Sequence, residues 1–182
     1  MAARVQDDPG RSVEPDAVSI APAIIRPATR ADLADVRRLV RGLAEYEKLA
    51  HVFIATEADF EAMLFAPDHP AEAVLACVAD HKPVGIALFH RTVNTFRGRT
   101  GLFLEDLFVE PAHRGGGIGK TLLRALAELA AARGHTIIEW RVLDWNEPAI
   151  ALYERLGATR MTEWHVRRLE GPALAALAEG DK

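Results

Sequence analysis

HRGGGIGKT, residues 113–121, places four glycines between an arginine and a Lys-Thr pair, and what it holds decides how the surrounding elements are read. Its tail, Gly119-Lys120-Thr121, has the form of the end of a nucleotide-binding P-loop, but that pattern requires glycine at the position of Arg114. The dinucleotide fingerprint G-x-G-x-x-G fails as well, because Gly115 and Gly117 would need a glycine where Lys120 stands. Arg-x-x-Gly-x-Gly fits, carried by Arg114, Gly117 and Gly119. The glycines lie between an apolar strand, GLFLEDLFV (101–109), and a helix read from Gly117 to Arg133 with Leu122, Leu123, Leu126, Leu129 and Ala130 inward. At such a junction free backbone N–H groups and the positive end of a helix dipole meet an anion, and glycine lets the main chain approach it closely. The stretch reads as a pyrophosphate cradle made from main chain.

Working outward, residues 1–22 carry Pro, Gly, Ser and scattered charge without periodicity, and are expected to form a flexible extension. AIIRPA (23–28) reads as a strand, followed by a helix from Arg30 to Leu49 capped by Thr29, with Leu33, Val36, Val40, Leu43 and Ala44 on one face. TEADFEAMLF (56–65) opens a second helix with the capping-box spacing of Thr56 and Asp59. AVLACVADHKPVGIALFHRTV reads as an antiparallel hairpin turning at Asp80-His81-Lys82-Pro83. TIIEWRVL (136–143) is a further strand, and Pro148 starts a helix, AIALYERL, that Gly157 stops. A last strand over about 159–169 and a short terminal helix complete the order β-α-α-β-β-β-α-β-α-β. This is a mixed α/β sheet flanked by helices, read as one domain over 23–182.

With 49% apolar and 26% charged residues in 182, the composition is that of one globular domain with a full core. The formal net charge of −4 provides no basic surface for nucleic acid and favours a cationic ligand. Cys77 is the single cysteine and lies in the apolar run AVLACVA, so it reads as core filler. No apolar run reaches the ~18 residues of a membrane span and no signal peptide is evident, so the expectation is a cytoplasmic protein without membrane attachment. The seven histidines show no metal-ligand spacing, and no metal is expected.

LEDLFVEPAHRGGGIGKTLL (104–123), followed by LDWNEPAIALYERLGA (143–158), resembles the GNAT superfamily of acetyl-CoA-dependent N-acetyltransferases. Within it, the closest resemblance is to the diamine (spermidine/spermine) N-acetyltransferases and their thialysine-acetylating relatives, over about Ile25 to Leu169. The resemblance implies a mostly antiparallel central sheet and acetyl-CoA as cosubstrate. It places Leu107, Phe108 and Val109 on a splayed strand that pairs with the pantetheine arm, and Arg114, Gly115, Gly116, Gly117, Ile118, Gly119 and Lys120 around the pyrophosphate. Asn146, Glu147 and Pro148 would contact the cofactor from the next strand and helix. Tyr153 matches the general acid, and Glu105 the acidic residue that helps deprotonate the amine through water. Members are usually homodimers with active sites near the subunit interface, so a homodimer is expected.

These roles agree with elementary chemistry. An alkylammonium with a pKa near ~10.4 is protonated at neutral pH and cannot attack a thioester, so a carboxylate must hold it and route its proton away. The departing thiolate needs a proton, which a phenol can donate. Two adjacent carboxylates, Glu105-Asp106, within Leu-Phe-Leu and Leu-Phe-Val put at least one toward a buried face, where an unpaired charge is costly. Tyr153 by helical spacing alone would be a core aromatic, and Asn146 a helix cap.

By the same resemblance, Tyr46-Glu47 at the end of the first helix, the strand residues Glu139, Trp140 and Arg141, and Glu163 near the chain end line the acceptor site. With Glu105 they form an acidic pocket suited to a small cationic amine: a diamine, a polyamine or a lysine-like amino acid. Polyamine-type members carry an aspartate before an aromatic in the loop preceding LED, where this chain has Asn94-Thr95 before Phe96. GRT and LDWN match the thialysine branch more closely, favouring an amino acid or short diamine. The competing readings are a protein or peptide N-acetyltransferase and a CoA-binding regulatory module without catalysis.

Overall fold

The computed structural model describes residues 23–180, so the expected extension over 1–22 lies outside the described residues. Within them the chain divides into two compact units, one ending at Arg141 and the other starting at Val142.

The first unit is built on one five-stranded sheet in the order β1-β2-β3-β4-β5. Its strands are β1 (Ile24–Pro27), β2 (Ala71–Cys77), β3 (Pro83–Asn94), β4 (Arg99–Val109) and β5 (Ile137–Trp140). The first four pair antiparallel. β5 pairs parallel with β4 because the chain returns through a crossover helix, α3 (Ile118–Ala132), and such a connection brings the next strand back in the same direction. β3 is buried without interruption from Pro83 to Phe89. This unbroken apolar run, instead of alternation, follows from helices covering both faces of the sheet.

Helices α1 (Leu33–Tyr46) and α2 (Glu57–Phe65) cover one face. Val36, Leu39 and Leu43 of α1 and Phe60 and Leu64 of α2 form one cluster with Leu75, Ile86, Leu88 and Phe108 of the sheet. α3 covers the other face, its Leu122 lying against Gly85. The start of α1 is fastened to β1 by Arg26, which donates to both oxygens of Asp32 at 2.7 and 2.8 Å. That ion pair holds the Asp32 carboxyl well below the usual carboxylate range. The expected capping box of α2 is present: Asp59 N–H donates to Thr56 Oγ1 at 3.2 Å and Thr56 N–H to Asp59 Oδ2 at 2.8 Å.

Two expected strands differ. TIIEWRVL forms a strand only over Ile137–Trp140, because its partner β4 is engaged only from Gly101 to Leu104. The expected last strand, 159–169, does not form. Its alternation of apolar and polar residues satisfies the period of a strand, but a strand also requires a hydrogen-bonding neighbour, and no ladder is made there. In the second unit, α4 (Glu147–Arg155) and α5 (Gly171–Glu179) are the regular elements. Among the described residues no helix is long and apolar enough to cross a membrane.

β5 lies unusually close to β4 at Gly101, where an added Cβ would sit 2.7 Å from the Ile137 carbonyl oxygen. Gly101→Ala is therefore expected to destabilise the protein by about 1–3 kcal/mol, read as a lowered midpoint in urea denaturation. An unchanged midpoint would mean that β5 can move away from β4 without cost.

Candidate acetyl-transfer site

β4 continues five residues past the point where β5 leaves it. β3 pairs with it as far as Val109, whereas the β5 ladder ends at Leu104↔Trp140. Among the described residues, one side of β4 from Glu105 to Val109 thus has no strand partner, and Leu107, Phe108 and Val109 lie in this segment. An open strand edge offers main-chain donors and acceptors to an extended polar ligand, as an amide-bearing pantetheine arm would be. The Phe108 side chain faces the core, and Gly42 of α1 is required beneath it, since a Cβ at Gly42 would lie 2.8 Å from its ring.

The same segment contains a β-bulge. Phe89 pairs with Leu104 and Leu88 with Asp106, leaving Glu105 as the extra residue of β4. Adjacent strand residues ordinarily point to opposite faces, but the extra residue lets Glu105 and Asp106 share the face that carries α1. Glu105 uses both its oxygens there. Arg141 Nη2 donates to Oε2 at 2.7 Å, and His90 Nε2 lies 3.1 Å from Oε1. The arrangement is braced by Phe103, on which the His90 ring stacks at 5.3 Å and over which the Arg141 guanidinium lies at 5.1 Å.

Asp106 is partly buried, and its carboxyl is pushed up to about 6, chiefly by burial and then by the neighbouring charges of Glu105 and Glu47, with Arg141 opposing. Glu47, at the C-terminal end of α1, is also raised by burial. Glu47, Glu105, Asp106 and Arg141 therefore form one electrostatic group at the open edge of β4. Sequence reasoning assigned no role to Asp106, nor to His90, which contacts Glu105. The Glu-Asp doublet was the available signal for Asp106; His90, at the polar end of an apolar run, gave none.

The glycine loop enters α3 through Gly115 and Gly117, with φ of +84° and +83°, a conformation that side chains rarely tolerate. Space above both is open. Thr121 N–H makes the first helical bond, to the Gly117 carbonyl at 3.0 Å, so the N–H groups of Ile118, Gly119 and Lys120 belong to the first turn, which has no intrahelical acceptors. Three outward donors beneath an open glycine surface fit a pyrophosphate. Arg114 donates from Nε to the Val109 carbonyl at 2.8 Å, and its guanidinium lies over Tyr46 at 4.5 Å and over Phe108 at 5.4 Å. It ties the loop to the ends of β4 and α1. Gly116 lies in this loop, exposed.

Glu139 is exposed on β5 opposite Phe103, and Trp140 is partly buried opposite Leu104. The other expected residues belong to the second unit. Asn146 is 9% exposed at the N-cap of α4, Glu147 and Pro148 form its exposed first turn, and Tyr153 is partly buried on the same helix. Glu163 is exposed in a turn. Among the described residues there is no group of three or more His, Cys, Asp or Glu able to hold a metal ion.

Residues 39–158 match the Acetyltransferase (GNAT) family. The chain is 39% identical to a thialysine N-epsilon-acetyltransferase of Bos taurus, over 85% of this chain and 96% of that protein. It is 29% identical to an L-ornithine N5-acetyltransferase of Arabidopsis thaliana, covering 84% of this chain and 86% of the relative. Among solved structures, an integron cassette protein from the mobile metagenome of V. cholerae superposes with a TM-score of 0.72 at 25% identity, over 87% of this chain and 98% of that one.

An acid whose pKa rises on folding favours the folded state when protonated. Asp106's contribution is therefore fully present below its ordinary value of 3.8 and lost as pH rises through about 6. Asp106→Asn is expected to stabilise the protein at pH 7.5, by an amount capped at about 3 kcal/mol, with the gain shrinking toward pH 4. Thermal denaturation of both proteins across that range checks it; a gain independent of pH would remove the buried charge as its cause.

Proposed function

Because the chain belongs to the GNAT acetyltransferase family, we propose that it is an N-acetyltransferase for the side-chain amine of a diamino acid or a short diamine, which attacks acetyl-CoA directly in a ternary complex. The observation that carries this reading is the joint placement of Glu47, Glu105, Asp106 and Arg141 at the open edge of β4. Carboxylates suit an ammonium, and a guanidinium beside them suits the carboxylate of an amino acid better than it suits a polyamine. The names of the thialysine and ornithine relatives point to the same acceptor class. Asn94-Thr95, where polyamine-type members have an acid, supports it too.

Acetyl-CoA supplies a thioester whose carbonyl carbon the amine nitrogen attacks. In this reading the α3 N-terminus and Gly115 to Lys120 bind the pyrophosphate, while Leu107 to Val109 pair with the pantetheine arm. Asn146, Glu147 and Pro148 complete the cofactor contacts, and Tyr46, Glu139, Trp140 and Glu163 line the acceptor site. The carboxylate cluster holds the ammonium and removes its proton. At pH 7 only about one alkylamine in 10³ is neutral, so without that removal attack would be slow. Tyr153 donates a proton to the leaving sulfur, a role supported by its place on the helix that follows Asn146. We further propose a cytoplasmic homodimer.

An acetyl-CoA consumption assay across lysine, thialysine, ornithine, putrescine, spermidine and a peptide set tests the acceptor. The amino acids are expected to give the highest kcat/KM; preference for peptides would move the acceptor class to proteins. Tyr153→Phe keeps the ring and removes the donor, so kcat should fall about 10²-fold with little change in KM. Near-normal kcat would make the tyrosine a packing residue. Gly117→Val forces a β-branched side chain into a positive φ and fills the open cradle, so the acetyl-CoA KM should rise at least tenfold, about 1.4 kcal/mol. An unchanged KM in a folded variant would remove the loop from the cofactor site.

A further inference from the structure

Within the cluster the two adjacent carboxylates are not equivalent. Both oxygens of Glu105 are engaged, one by Arg141 at 2.7 Å and the other facing His90 at 3.1 Å. No described residue donates a hydrogen bond to Asp106, which lies next to Glu105 on the same face. Its charged surroundings come from every side of the site: Glu105 on its own strand, Glu47 from the end of α1, Arg141 beyond β5, and His90 on β3 through Glu105.

We propose that Asp106 is the base that takes the proton from the acceptor ammonium, and that Glu105 is a positioning residue that fixes Arg141 and His90. This rests on the amine-transfer reading above and assigns its proton step to a residue that the resemblance does not name. The ammonium nitrogen carries three protons and the amide product one. Of the two that leave, Asp106 accepts one, forming its carboxylic acid as the nitrogen lone pair becomes free, and returns it to solvent. The C–N bond then forms, the C–S bond breaks, and the second proton reaches the sulfur through Tyr153. The site also suits the task chemically, since a carboxyl raised to about 6 is ionised at neutral pH and a stronger base than an ordinary aspartate. Glu105, beside Asp106 on β4, holds the Arg141 guanidinium in place at the rim.

The test is the pH dependence of kcat/KM from pH 5 to 10 for the full chain, with lysine and ornithine as acceptors, in wild type, Asp106→Asn, Glu105→Gln and Glu47→Gln. Wild type should lose activity below about pH 6. Asp106→Asn should lose that acid limb and about 10²-fold in rate at pH 7, recovering as pH approaches the amine's own pKa. Glu105→Gln and Glu47→Gln each remove a neighbouring negative charge and should keep the limb but move it to lower pH. Because Glu47→Gln leaves both strand carboxylates intact, it still reports on Asp106 if Asp106→Asn fails to fold or to bind acetyl-CoA. A limb retained in Asp106→Asn, lost in Glu105→Gln, or unmoved in Glu47→Gln overturns the assignment while leaving amine transfer standing. Failure of the wild type to acetylate any amine in the panel overturns the amine reading and the assignment with it.

Discussion

β4 holds one residue more than β3 across from Leu88 and Phe89, and the site depends on where that residue falls. Without it, Glu105 and Asp106 would project to opposite faces of the sheet, one of them under α3. With it, both project toward α1, where Glu47 stands at the helix end. The position is pinned from both faces. Phe89 and Leu104 are buried on one side, Leu88 and Phe108 on the other, and a slip of one residue would bring charged groups into each layer in their place. The cost of that exchange, several buried apolar side chains at about 1.5–3 kcal/mol each, exceeds the local ladder disruption that the bulge introduces.

The open edge and the acid cluster are consequences of a single strand. β5 leaves β4 at Leu104, and the bulge begins at the next residue, so the open main chain and the paired carboxylates are contiguous in sequence and space. Arg114 closes the far end of this segment by bonding the Val109 carbonyl and lying over Tyr46 and Phe108. Its value to the anion cradle is geometric. It anchors the chain just before Gly115, so the positive-φ turns at Gly115 and Gly117 deliver the N–H groups of α3 from a fixed starting point.

Much of this was readable because local physics repeated itself at several levels. The helix expected from Gly117 to Arg133 carries a continuous apolar stripe, and α3 lies within a residue of that expectation at each end. Thr56 and Asp59 formed the reciprocal bonds that their spacing implies. What failed to be legible depends on partners distant in sequence. The length of β5 is set by where β4 stops accepting it, and the strand expected at 159–169 lacked a neighbour that no local pattern can supply. The contacts of Arg114 with Phe108 and the Val109 carbonyl are near in sequence, but its contact with Tyr46 comes from α1, an element read separately. The doublet Glu105-Asp106 signalled a costly carboxylate but not which one, since a bulge is a property of two strands and neither strand's own alternation records it.

The charge arrangement around the bulge has a consequence for how the cluster holds an ion. Burial removes the water that would screen these carboxylates and raises both Asp106 and Glu47, and at Asp106 the neighbouring charges of Glu105 and Glu47 add to it. Arg141 opposes part of this at Asp106, but it is bound to Glu105 and half exposed at the rim, so the compensation is incomplete. In the proposed reading, an alkylammonium entering the site relieves the remaining repulsion and lowers the cost of ionising Asp106. Binding and deprotonation then pull in opposite directions, because the cation that is bound by the carboxylate is also the acid that must give it a proton. A carboxyl held well above the ordinary aspartate range reconciles the two better than one fully paired: it binds the ammonium when ionised and, being close to protonation already, yields less of that binding when the proton moves.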